Sequence, residues 1–543
     1  MVVELPRFTS ALKVRLQSAN QFVDPAISIY DQLARSHIIM VFPIPSSKDI
    51  ANGGSARIPW HKDNLPKQLF INNEYVPSNN SKKLQVFNPK DESTVANDVA
   101  LGGQEDVDAA VAAAEAAFPK WKKTPPNVRR DIMLKFANLL EQNSKALANL
   151  TRITLGAPWG SMGSMEMNLA CESFKYFAGW TDKFPGETYP QEDGFLKIVR
   201  NEPLGVCCGI IPWNGPVANI GMKAGPALAT GNCFILKPSE KTPFAALALG
   251  SLIKEAGFPP GVFQIVSGDG STGAIFASHM KVRKVSFTGS TTTGRKIQEM
   301  AAMSNLKRVT LELGGKSPAV VFKDCNLENA ITWCANAITA NTGQICFAAS
   351  RVYVEAPIYE DFIAGYKKAI EQKIKGVGDP DDEGTSIGPL VDKAQFERVQ
   401  GFIERGQQGQ GTLLVGGGRV GDKGYYVQPT VFEGVSQDAE ICRQEIFGPV
   451  SVVNKFETEE DIIEKANDTN FGLMAGIFSQ DINRCLRVAA EIDSGMVGIN
   501  CISLCFLTAP FGGSKESGQG RENAINALRM FTEPKTVMVN LTY

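Results

Sequence analysis

The sequence predicts two α/β domains, each a parallel sheet covered by helices. Three observations carry this. Apolar runs at Gly205–Ile211, Cys233–Leu236, Val262–Val266 and Val282–Phe287 are continuous, as strands buried on both faces are, and helical stretches such as Thr242–Glu255 separate them. A second series of the same kind follows Glu312, with candidate strands at Ala319–Phe322, Arg351–Val354, Val450–Phe456 and Gly472–Phe478 and a helix over Ile358–Gln372. The chain has 543 residues, enough for two to four domains at ~150 residues each.

The remaining elements follow in chain order. Residues 1–58 read differently from the rest, with Phe8, Leu12 and Leu16 at helical spacing and then a Pro/Ser/Gly-rich stretch from Pro43 to Ser55. Glu4, Asp24 and Asp31 count against a mitochondrial presequence, so the segment reads as a loosely docked or disordered extension. Leu69 to Val76 reads as a hairpin turning at Asn72-Asn73. Asp106–Phe118 is an alanine-rich helix, and Ile132, Phe136, Leu139 and Leu140 form the apolar stripe of a second. Two segments fit neither domain: Thr188–Arg200, readable as an arm, and Thr536–Asn540, readable as a terminal strand of the kind that pairs with another chain.

Composition excludes several functions. Lys plus Arg is 55 against 57 Asp plus Glu, so no basic excess favours nucleic acid. No apolar run approaches the ~20 residues of a membrane helix. Eleven cysteines, mostly in apolar runs, are too sparse for a disulfide scaffold and read as reduced thiols in a cytosol-like compartment. None combines with His at zinc spacing, so no metal site is expected. Only three histidines are present, which leaves few bases for a histidine mechanism.

Two glycine motifs need care. Gly268-Asp-Gly-Ser-Thr-Gly273 fits the dinucleotide fingerprint, yet no strand ending in an acid follows about 20 residues on. A turn opening a short helix is the other reading. Gly289-Ser-Thr-Thr-Thr-Gly-Arg-Lys296 fails as a triphosphate loop because Arg295 stands where Lys should follow Gly, but a small-residue turn opening a helix still offers N–H groups to a phosphate.

Three segments carry chemistry. Ile211-Pro-Trp-Asn-Gly-Pro216 places Asn214 at the carboxyl end of a buried strand, where α/β proteins bind ligands and where an amide can donate to an oxyanion. Glu312, in Val309-Thr-Leu-Glu-Leu-Gly-Gly315, is an acid in an apolar strand, and burial would raise its pKa towards that of a base working near neutral pH. Cys346, in Asn341-Thr-Gly-Gln-Ile-Cys346, follows polar residues and a glycine, unlike the core cysteines. A thiol, an amide donor and a carboxylate together point to acyl chemistry.

These residues closely resemble the aldehyde dehydrogenase superfamily from about Gln68 to Val539. The motifs are Pro212-Trp-Asn, Lys237-Pro-Ser-Glu240, Phe287-Thr-Gly-Ser290, Leu311-Glu-Leu-Gly-Gly-Lys316, Gly343-Gln-x-Cys346, Glu445-Ile-Phe-Gly-Pro449 and Pro510-Phe-Gly-Gly-Ser-Lys515, in the family's order. The resemblance implies an aldehyde substrate and NAD, with NADP as the variant. Cys346 would form a thiohemiacetal and then a thioester, Glu312 would activate the hydrolytic water, Asn214 and the Cys346 N–H would make the oxyanion hole, and Lys223 would relay the proton of the base. Ile211, Trp213, Lys237, Ser239, Glu240, Gly270, Gly289, Ser290, Gly315, Glu445 and Phe447 would contact the cofactor. The implied fold is two doubly wound Rossmann-type α/β domains plus a β oligomerisation arm. Its parts are an N-terminal extension over 1–65, poorly ordered; a dinucleotide-binding domain over 66–184 and 204–314; a catalytic domain over 315–515; and the arm over 185–203 and 530–543. It implies a homodimer or homotetramer. Cytoplasm is the expected location, mitochondria the alternative.

The substrate pocket departs from that of common aliphatic-aldehyde enzymes. Gly215, Met222 and Cys505 stand where those often have aromatic residues, which predicts room for a bulky or aromatic aldehyde unless Phe347 and Phe506 refill it. Alternatives are a CoA-acylating or specialised semialdehyde dehydrogenase, a thiol esterase using the same Cys346 and Glu312, and a non-catalytic protein on the same fold.

Overall fold

The computed structural model describes residues 57–542. The helical spacing of Phe8, Leu12 and Leu16 and most of the extension drawn over 1–65 lie outside the described residues. The last part of that extension is packed: Ile58 is buried, its N–H donates to Asn143 Oδ1 at 2.9 Å, and the Trp60 ring meets Tyr75 edge-on at 5.4 Å. Burial of these apolar groups starts the ordered body ahead of residue 65.

The first sheet has eight strands in the order Glu74–Val76, Leu69–Ile71, Phe263–Ile265, Cys233–Lys237, Val206–Ile210, Lys284–Thr288, Arg308–Glu312 and Gly518–Gln519. Its five inner strands are parallel, and both edges are antiparallel. The inner strands run outward in both directions from Val206–Ile210, the doubly wound arrangement with its switch point between that strand and Lys284–Thr288. Four of the five are buried at every residue, which is why they read as unbroken apolar runs. The hairpin turns at Asn72 and Asn73, both at positive φ, a conformation that asparagine tolerates.

The second sheet has seven strands in the order Thr412–Val415, Thr430–Glu433, Val450–Phe456, Arg351–Glu355, Pro318–Val321, Met474–Phe478 and Met496–Ile499, parallel except at the first pair. The strand expected over Gly472–Phe478 begins instead at Met474. Phe471–Gly472 pairs with Ser514–Lys515, and the Gly472 N–H donates to Ser517 Oγ rather than into the main sheet.

Glu187–Tyr189, Phe195–Pro203 and Thr532–Asn540 form a separate antiparallel sheet, with Thr532 opposite Pro203 and Asn540 opposite Phe195. The two segments that fitted neither domain thus pair with each other. Among the described residues no helix is long and apolar enough to cross a membrane.

Candidate active site

The segments leaving the carboxyl ends at the switch point carry the residues singled out above. The Ile211 N–H donates to the Lys237 carbonyl at 3.1 Å and holds two strand ends in register. Lys237 is buried, which lowers its pKa, and its Nζ lies 3.7 Å from the Glu240 carboxylate. Ser239 Oγ donates to Glu240 Oε2 at 3.4 Å. Amine and carboxylate side by side suit the hydroxyls of a ribose. Gly270 opens the helix Gly270–Ser278, capped by Asp269, which accepts from Ser271 N–H at 2.8 Å, so the glycine motif is a turn opening a short helix. Ser290 caps Thr291–Met303 and accepts from Thr293 N–H at 3.3 Å. Two helix N-termini beside a ribose-type pair fit a dinucleotide.

Glu445 and Phe447 come from the second domain. Glu445 Oε1 accepts from the Gly315 N–H at 3.1 Å, and burial pushes its pKa up to about 7. A Cβ at Gly314 would collide with this carboxylate, and one at Gly315 with the Cys346 carbonyl oxygen. Phe447, at φ +59°, presents its ring to the Trp213 edge at 5.3 Å, and Lys241 Nζ lies 5.4 Å from the Trp213 ring centre.

Cys346 follows Asn341, Thr342 and Gly343, three successive residues at φ +49°, +58° and +69°. This turn is held by Gln344, whose Nε2 donates to the Asn341 carbonyl at 3.0 Å and whose Oε1 accepts from the Val391 N–H at 3.0 Å. Asn214 Nδ2 donates to the Gln344 carbonyl at 2.8 Å and retains a second N–H. The Cys346 N–H donates to no protein group among the described residues. Burial pushes the Cys346 thiol well above its ordinary value, and the neighbouring Glu312 carboxylate raises it further. Glu312 ends the strand Arg308–Glu312; burial, then the charge of Glu522, raise its pKa to about 8, against a smaller opposing effect of Cys346. Glu312 Oε1 has no protein partner. Thiol and carboxylate are thus close enough for each to shift the other's pKa, and the Asn214 amide reaches the same loop.

Lys223 is fully buried, pairs with Glu522 and donates to Ser286 Oγ at 3.2 Å. The charge of Glu522 reaches Glu312, which places Lys223 one residue behind Glu312. Glu522, Gln344 and Asn341 escaped the sequence reading. Gln344 stood in the quoted motif, whereas no local pattern marks Glu522.

Gly215, Met222, Phe347 and Cys505 surround this centre less tightly. Cys505 is close enough to raise the Cys346 pKa, and the Ser503 Oγ bond to the Phe347 carbonyl, 2.7 Å, ties their loops together. Phe347 packs on Phe511 at 5.6 Å, Phe506 is 43% exposed, and only Asn219 lies within 4 Å of a Cβ position at Gly215.

Comparison with known proteins gives the family. The model of the "Aldehyde dehydrogenase family" matches residues 75–537. Aldehyde dehydrogenase 1A1 of Bos taurus is 44% identical over 480 residues, covering 88% of this chain and 95% of its own. The NAD+ complex of an aldehyde dehydrogenase from Bacillus cereus superposes with a TM-score of 0.86 at 41% identity, covering 88% of this chain and 97% of that one. An indole-3-acetaldehyde dehydrogenase from P. syringae, in complex with NAD+ and IAA, does so with 0.86 at 35% identity, covering 89% and 100%. The chain belongs to the aldehyde dehydrogenase family, whose members oxidise aldehydes with NAD(P).

Proposed function

We propose that the protein converts a bulky or aromatic aldehyde to its carboxylic acid, with Cys346 as nucleophile and Glu312 as base. The mutual influence of Cys346 and Glu312, with the Asn214 amide on the loop that carries the thiol, supports this reading. Glu312 takes the thiol proton, and the thiolate adds to the carbonyl carbon. The second Asn214 N–H and the Cys346 N–H receive the oxyanion of the thiohemiacetal. Bound NAD(P) supplies a hydride acceptor, by which the adduct is oxidised to a thioester. Glu312 then takes a proton from water, whose oxygen attacks the thioester carbon; the C–S bond breaks, and acid and thiol are released. Lys223 and Glu522 position the base; the Glu522 carboxylate receives its proton, and Lys223 relays it by giving up one N–H proton as it takes another.

NAD is favoured over NADP because the Glu240 carboxylate accepts from ribose hydroxyls and repels a 2′-phosphate. Lys237, Ser239 and Glu240 hold that ribose; Gly270, Gly289 and Ser290 meet the pyrophosphate; Glu445 takes the second ribose; Ile211, Trp213, Gly315 and Phe447 line the nicotinamide side. The open space at Gly215 supports a large substrate, as does the indole-3-acetaldehyde named for one relative. The eleven free cysteines, mostly buried, support a reducing compartment such as the cytoplasm. The arm supports a homodimer or homotetramer, since the edge strand Thr532–Asn540 exposes Met538 and Val539.

The test is NADH formation at 340 nm with NAD or NADP and aldehydes from acetaldehyde to large aromatic ones. The reading expects turnover with NAD and kcat/KM rising with aldehyde size. Acetaldehyde outperforming every large aldehyde would contradict the enlarged pocket.

A further inference from the structure

The helix Pro216–Ala229 is buried at every position except Asn219, in its first turn. Met222 and Lys223, three and four residues on, share its face. That face points to the reaction centre, because Lys223 pairs with Glu522, whose charge acts on Glu312. The one partly open polar side chain of this helix therefore stands on the wall beside Asn214. Its carboxamide is oriented: Nδ2 donates to the Gly215 carbonyl at 2.8 Å, and the reverse orientation would set two oxygens against each other. Oδ1 is left without a protein donor among the described residues. Gly215 adds no side chain, and a Cβ there would meet nothing within 4 Å but Asn219 Nδ2 at 3.4 Å. An unused acceptor thus borders an open space.

Resting on the aldehyde dehydrogenase reading above, we propose that Asn219 determines specificity: its Oδ1 accepts a hydrogen bond from a substrate hydroxyl, and the preferred substrates are aromatic aldehydes with a phenolic hydroxyl far from the carbonyl. A neutral amide oxygen beside Met222 suits a neutral donor, since an ammonium group there would lose hydration without a counter-charge. Asn214 lies ahead of the helix, which opens at Pro216, and Asn219 ends its first turn, so acceptor and oxyanion donor are separate points and a hydroxyl remote from the carbonyl is the one that meets Asn219.

The test compares, at a pH low enough to keep the phenol protonated, 4-hydroxybenzaldehyde with 4-methoxybenzaldehyde, whose neutral rings are electronically similar but differ in the donor. Wild type is expected to favour the hydroxyl compound by about five- to tenfold in kcat/KM. N219L brings the ratio near one, and N219D, which keeps an acceptor, retains the preference. A wild-type ratio near one, or a ratio unchanged in N219L, overturns the proposal. Turnover of benzaldehyde itself tests the parent reading separately. Should no aldehyde be turned over, calorimetric affinities of the C346A variant, alone and combined with N219L, for the same two compounds decide the Asn219 contact by the same ratio.

Discussion

The main-chain N–H of Gly289 donates to the carbonyl oxygen of Glu312 at 3.1 Å. This bond joins the turn that opens the helix Thr291–Met303 to the end of the strand that carries the base. Leu313 continues the tie by donating its N–H to the Ser517 carbonyl at 2.9 Å, and Ser517 Oγ donates to the Gly314 carbonyl at 2.7 Å. The Gly289 turn, Glu312 and the Gly314-Gly315 pair against Glu445 and Cys346 are thus tied together through the backbone. In the proposed mechanism this keeps cofactor contacts and reacting groups at a fixed separation.

Removing the thiol separates chemistry from binding. C346A is expected to abolish both aldehyde oxidation and ester hydrolysis while NAD still binds. Steady-state kinetics with an aldehyde and an aryl ester, together with calorimetric titration of NAD, check this. Retained oxidation in C346A would move the nucleophile elsewhere.

The base predicts a pH profile. Glu312 has a pKa raised to about 8, so below that pH most molecules carry the neutral acid, which cannot accept a proton. Turnover limited by hydrolysis therefore rises with pH, about tenfold per unit well below 8, and levels off above it. In E312Q the rise disappears and kcat falls by about 100-fold or more. Stopped-flow measurement of thioester hydrolysis across pH 6 to 10 gives the result.

The carboxylate at 240 is proposed to set cofactor choice. E240Q removes a charge that repels a 2′-phosphate, and the side chain is partly exposed, so the effect is modest. The ratio of kcat/KM for NADP to that for NAD is expected to rise up to about fivefold.

The Lys223–Glu522 pair predicts a stability effect. Lys223 is fully buried, and E522L leaves its charge without a partner, at a cost of about 3–5 kcal/mol. Replacing both, as K223M with E522L, costs clearly less than the single change. Urea unfolding of the three variants measures this. Equal losses in the single and double variants would rule out the pair as the cause.

The turn before the nucleophile is equally constrained. Gly343 sits at φ +69°, and a Cβ there would collide with the Gly448 carbonyl. G343A is expected to lose at least about 2 kcal/mol of stability, with activity falling further because Cys346 is displaced. Thermal unfolding and kcat on the same sample separate the two losses.

Much of this molecule was legible locally. Asn214 stands where a buried strand ends before a proline, Glu312 interrupts an apolar strand before two glycines, and Cys346 follows a polar, glycine-containing segment, so each differs from its surroundings within a few residues. The inner strands were legible because burial on both faces leaves no polar alternation. What was not legible depends on distant partners. Lys223 meets Glu522 across 299 positions, and neither has a local signature of that pairing. Gly518–Gln519 returns to the first sheet as two residues, too few for any periodicity. Asn219 reads as an ordinary helix residue until the burial of its neighbours is known. Ile58 looked like part of a tail because its contacts, with Asn143 among them, come from a later helix pair.

The central claim is a covalent route through Cys346 with Glu312 needed to end it. The most direct test is intact-protein and peptide mass spectrometry of E312Q mixed with NAD and an aromatic aldehyde. The account predicts slow accumulation, at a pH high enough for hydroxide to ionise the Cys346 thiol without Glu312, of one acyl group per chain, mapped to the peptide carrying Cys346 and absent when NAD is omitted. An acyl group on another cysteine, or NADH formation with no adduct in E312Q, would contradict it.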